Sequence, residues 1–160
     1  MVERPEVPSF AQLLAPVIGA VPSEGTPALL SGLERAAAAR YRGWAEALPT
    51  HAETLLACAR REDEIADSVA GLFPIDAATQ EAVDKALPEA IKIYHEVFAP
   101  HPVEDQLHLQ AEAELQGAQA WVGIAAGVED PSVKATLARC SELEEESSRA
   151  VKALLESLDR

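Results

Sequence analysis

At 160 residues and 17.0 kDa, the chain has the size of one domain. Its net charge of −14 and pI of about 4.6 set it against polyanions, so neither nucleic acid nor an anionic membrane surface is an expected partner. Apolar residues make up 48% and aromatics 4%, with alanine and leucine plentiful, which excludes disorder and favours helices over sheet.

In chain order, residues 8–21 carry Phe10, Leu13, Leu14, Val17, Ile18 and Val21 at i, i+3, i+4 spacing, a short amphipathic helix in spite of Pro16. VPSEGTP (21–27) is a turn-rich break, so residues 1–26 read as an N-terminal segment and 27–160 as one helical domain. A long helix is expected from about Pro27 to Leu48, ended by Pro49. Thr50 is the expected N-cap of the next, which runs to about Phe73 before Pro74. An alanine-rich helix over 76–99 is expected to kink or restart at Pro88. After the APHP break (99–102), helices over about 103–128 and 131–158 complete the chain, with Glu129-Asp130-Pro131 as a capped junction. No segment alternates with period two, and the chain reads as all-α.

Other signals bound the setting. Two cysteines do not make a disulfide framework. The opening MVERPEVPSF lacks the basic and apolar regions of a secretory signal, and no apolar run approaches the roughly 18 residues that span a bilayer. A cytoplasmic location is therefore expected. Motifs for nucleotide binding, serine hydrolysis, redox disulfides and zinc proteolysis (G-x-x-x-x-G-K, G-x-S-x-G, C-x-x-C, H-E-x-x-H) do not occur.

The helices contain an internal repeat. LERAAAARYRGWAEAL (33–48) aligns with AELQGAQAWVGIAAGV (113–128), matching Glu34 to Glu114, Tyr41 to Trp121 and Gly43 to Gly123. LLACARREDEIADSV (55–69) aligns with TLARCSELEEESSRA (136–150), matching Cys58 to Cys140, Glu62 to Glu144 and Glu64 to Glu146. Two αα-hairpins with shared landmarks, joined by the 76–99 crossover, are the predicted arrangement.

On a helical projection, Glu34, Glu62, Glu114 and Glu144 each fall on the midline of an apolar stripe, with stripe residues within about 60°. Near a bundle centre these four side chains would converge, and unpaired buried carboxylates are costly. Arg60, Arg61 and Arg139 project off the stripes and are not expected to compensate them. Either the carboxyls hold protons with raised pKa values, or cations sit among them. Two divalent ions would balance four negative charges, and oxygen ligands suit iron, manganese or magnesium. Tyr41 and Trp121 are expected beside the quartet.

A hairpin, a crossover and a second hairpin with one inward glutamate per helix resemble the ferritin-like superfamily of di-iron carboxylate bundles. The resemblance spans residues 27–158. It implies an antiparallel four-helix bundle in which Glu34 and Glu114 correspond to the single glutamates. Glu62 and Glu144 correspond to the glutamates of the two Glu-x-x-His motifs. The histidine positions hold Ile65 and Ser147, and His51, His95, His101 and His108 do not replace them by spacing. Cys58 and Cys140, one turn before Glu62 and Glu144, would ligate a softer metal such as zinc, or face each other across the pseudo-twofold; buried free cysteine is the plainer reading.

Three functions follow. The first is a dinuclear iron or manganese centre for metal handling or oxidoreduction. The second is a metal-free structural or interaction bundle, with no cofactor, whose N-terminal helix supports a homodimer. The third is a pocket for a small ligand among the alanine-lined helices, with the carboxylates binding its cationic group.

Overall fold

The computed structural model describes residues 2–160, and every regular element among them is helical. Six α-helices run in order: α1 (Phe10–Gly19), α2 (Thr26–Ala47), α3 (Ala52–Val69), α4 (Ala77–Phe98), α5 (Val103–Ala126) and α6 (Pro131–Leu158), with short 3-10 turns at Ser23–Gly25 and Pro49–His51. No helix among the described residues is long and apolar enough to cross a membrane.

Local chemistry explains most of the boundaries. Ser9 accepts from the Gln12 backbone N–H to open α1, and Asp76 accepts from Thr79 N–H at 2.7 Å to open α4. Asp130 accepts from Ser132 N–H at 2.8 Å, with Pro131 in the first helical position, so α6 starts at the capped junction expected for it. Two expectations fail on α3. Thr50 does not cap it, because Pro49–His51 forms a 3-10 turn and the helix begins at Ala52 without a side-chain cap. It also ends at Val69 rather than near Phe73, since Ala70 turns extended and Gly71 takes φ +82°, a left-handed conformation open to glycine. Helix α4 runs through Pro88 as one element instead of restarting there.

Helices α2 and α3 pack along each other, as do α5 and α6, and α3 meets α6 between the pairs. Helix α4 lies against α2, and α1 lies on α4, where the Phe10 ring stacks on Tyr94 at 4.7 Å. Apolar burial falls into two clusters. The larger includes Phe10, Leu29, Tyr41, Cys58, Leu107 and Val151. The smaller is built from Ile65, Val69, Trp121, Leu137, Cys140 and Leu143.

Along α3 the chain passes from the first cluster through Glu62 to the second, and along α6 it passes from the second through Glu144 to the first. The two helices therefore run in opposite senses through a polar layer that divides the core.

Candidate functional site

The polar layer consists of one glutamate from each of α2, α3, α5 and α6. Glu62 is 0% exposed, Glu144 1% and Glu114 2%. Glu34 is half-buried and lines two cavities. Glu34, Glu62 and Glu144 each bring one carboxylate oxygen to within 4.8 Å of the other two.

Hydrogen bonds distinguish the four. Glu114 is drawn aside: its Oε1 accepts from the Tyr41 hydroxyl and from Gln110 Nε2 at 2.8 Å. Glu144 Oε1 accepts from Trp121 Nε1 at 3.1 Å. Both oxygens of Glu62 are buried with no donor. Such a group is stable in the interior only if a proton is shared between neighbouring carboxyls or a cation is coordinated.

The electrostatics point the same way. Burial raises the Glu34 carboxyl above its usual range. Glu62 is pushed well above it by burial and then by the charges of Glu114 and Glu144. For Glu144 the causes are burial and then Glu34 and Glu114. Tyr41 is likewise raised, first by burial and then by the Glu114 charge beside its hydroxyl.

Space for the cluster depends on Gly117. A Cβ at that position would lie 2.6 Å from Glu144 Oε1, so any other residue would displace the carboxylate. A cavity of about 40 Å3 lies beside Glu34, Glu114 and Glu144, with Arg40, Gln110 and Gly117 in its wall. That is room for one ion or one water, whose share of liquid volume is about 30 Å3.

Two arginines in this region were not foreseen as partners. Arg61 does not project away from the interior: its Nε donates to Ser147 Oγ at 2.9 Å and its Nη2 donates to Cys58 Sγ at 3.2 Å. The long side chain bends from the edge of the stripe into the α3–α6 contact, a reach that a projection of Cα positions does not include. Arg40 also lies off the stripe of Glu34, yet it stacks over Tyr94 at 5.1 Å and Phe98 at 4.9 Å and donates to Gln110 Oε1 at 3.1 Å. That site is made by α4, which supplies the two rings, and by α5, which supplies Gln110. Arg60 is exposed and Arg139 pairs with Glu142 and Glu146 at the surface, both off the stripe as expected.

The positions three residues after Glu62 and Glu144, Ile65 and Ser147, are buried and satisfied. Ile65 is buried in the smaller apolar cluster, and Ser147 is 0% exposed with its hydroxyl held by Arg61. Neither cysteine joins the carboxylate group of three. Both are free and buried, and they lie on opposite sides of the polar layer rather than facing each other. The reason is directional: each precedes its glutamate by one turn, but α3 and α6 run oppositely. Burial pushes the Cys58 thiol up, with Arg61 opposing, and pushes Cys140 up to about 11.

No protein-family model matches the chain, and no curated protein or solved structure matches it either.

Proposed function

We propose that the chain is a ferritin-like four-helix bundle, built from two related hairpins, that holds divalent iron or manganese for metal handling or oxidoreduction. Glu34, Glu62 and Glu144 are the ligands that gather one ion, and Glu114 stands beside the adjoining cavity as the carboxylate for a second. The observation that carries this reading is Glu62, a fully buried carboxylate with two unpartnered oxygens, grouped with the carboxylates of Glu34 and Glu144. An all-oxygen donor set suits hard divalent cations over zinc, and neither thiol belongs to it.

The surrounding residues have separable tasks. Tyr41 and Gln110 orient Glu114, Trp121 orients Glu144, and Gly117 leaves the space Glu144 occupies. Arg40 and Arg61 offset part of the negative charge from outside the ligand group. Bound iron or manganese supplies redox or Lewis-acid chemistry.

The test is elemental analysis of protein purified without chelator and then offered Fe(II) or Mn(II), alongside Glu62→Gln. One to two equivalents, lost on substitution, are expected. Retention below about a tenth of an equivalent overturns the proposal.

A second reading, a metal-free bundle with a proton-sharing carboxylate layer, is favoured by the fully satisfied Ile65 and Ser147 at the histidine positions. It predicts that divalent cations leave the melting temperature unchanged.

A further inference from the structure

Helix α1 roofs a chamber of about 250 Å3 that the carboxylate layer does not by itself explain. Phe10, Leu14 and Ile18 form the roof, while Leu30, Leu33 and Trp121 form part of the walls. Glu34 is the one charged residue in the lining.

Two polar side chains of the lining, Gln116 and Trp121, are already committed. Gln116 Oε1 accepts from the Phe10 backbone N–H at 2.9 Å, and its Nε2 donates to the Pro8 carbonyl at 2.8 Å, which clasps the roof in place. Trp121 Nε1 is spent on Glu144. The inner wall, formed by Leu33, Glu34, Tyr94, Ala113 and Gly117, is shared with the small cavity beside Glu114 and Glu144.

We infer that this chamber binds one small, neutral, apolar molecule, with one end against Glu34. Hydrated ions are disfavoured because the apolar walls offer nothing to replace their water. Anions find no cationic side chain in the lining to pair with. The volume is ample, since an apolar cavity of roughly 150 Å3 holds benzene. Binding requires only the chamber, whereas its reading as the substrate class of the centre, a hydrocarbon-like molecule presented end-on, rests on the metal proposal above.

The experiment uses full-length protein carrying Trp44→Phe, which leaves Trp121 as the single indole and a reporter in the chamber wall. Toluene and 1-octanol are titrated into metal-free protein, and octanoate serves as the anionic comparison. Saturable changes in Trp121 emission are expected with the first two, and octanoate should bind at least about tenfold more weakly. Ala113→Phe fills the inner wall and should weaken toluene binding by at least about tenfold while helical circular dichroism persists. Should that variant unfold, Ala120→Phe carries the same comparison from an exposed lining position.

No saturable response, equal binding of octanoate, or unchanged affinity in the filled variants overturns the inference. Parallel Mn(II) titration separates the two proposals. Toluene binding without metal affinity keeps the chamber and removes the substrate claim; metal binding without toluene binding keeps the metal proposal and removes both the chamber and the substrate claim.

Discussion

Replacing Glu62 by glutamine tests the physics of the polar layer most directly. Glu34 and Glu144 each bring an oxygen to within 4.8 Å of Glu62. At that distance two full charges repel by about 3.5 kcal/mol at an effective dielectric of about 20. Holding Glu62 protonated at pH 7, against an ordinary pKa of about 4.3, costs about 3.7 kcal/mol instead. With burial and the surrounding carboxyls weighing on the ionised form, protonation of Glu62 is the cheaper state, consistent with a carboxyl pushed well above its usual range.

Glutamine keeps the shape without needing the proton, although its amide is no better partnered. Metal-free Glu62→Gln should gain about 1–3 kcal/mol at pH 7, which raises Tm by about 3–10 °C for a chain of this size. A raised folded-state pKa means the native protein binds the proton more tightly than the unfolded chain. Glu62's contribution to wild-type stability is therefore fully present below about pH 4.3 and declines as pH rises above it. The variant's advantage should shrink by up to about 1.4 kcal/mol per unit as pH falls, and vanish near pH 4–5.

Added Mn(II) should narrow or reverse the gap, because wild type gains about 2.7 kcal/mol at a hundredfold excess over Kd and the variant gains less. Calorimetric melts between pH 5 and 8, in chelator and in Mn(II), provide the measurement. A variant that melts below wild type in chelator at pH 7, or matching pH slopes for the two proteins, would refute the reasoning.

Gly117→Ala should displace Glu144, cost about 1–3 kcal/mol by overpacking and weaken Mn(II) binding in a metal titration. Gly123→Ala, on the same helix with nothing within 4 Å of the added methyl, should instead stabilise by about 0.5–1 kcal/mol in denaturant unfolding. Cys58 is raised and Cys140 lies at about 11, so native protein at pH 8 should react with a thiol-specific disulfide reagent at least about a hundredfold more slowly than a free cysteine. Denaturant should then release both thiols; rapid native labelling of either contradicts the assigned burial. Gln116→Leu removes the partners of Phe10 N–H and the Pro8 carbonyl, and should cost about 1–3 kcal/mol. Limited proteolysis should then cut within residues 2–19 while the remainder resists; an unchanged cleavage pattern would argue against the clasp.

The sequence by itself determined the helical class, most element boundaries and the placement of Glu62, Glu114 and Glu144 on buried faces, because hydrophobic periodicity records which side of a single helix meets the interior. Proline and the Asp130 cap marked several ends for the same local reason, while Thr50 misled because a 3-10 turn preceded the helix it was expected to cap. Relations between helices were not legible in this way. Periodicity does not show that Tyr41 and Gln110 donate to Glu114 while both oxygens of Glu62 lack a donor. Nor does it show Arg61 bending to Ser147, Arg40 stacking on α4, or a roof closing over a chamber beside Glu34. Those features depend on the distances between side-chain tips, which are set when one helix packs on another and the bulk of each neighbour decides how closely the backbones approach.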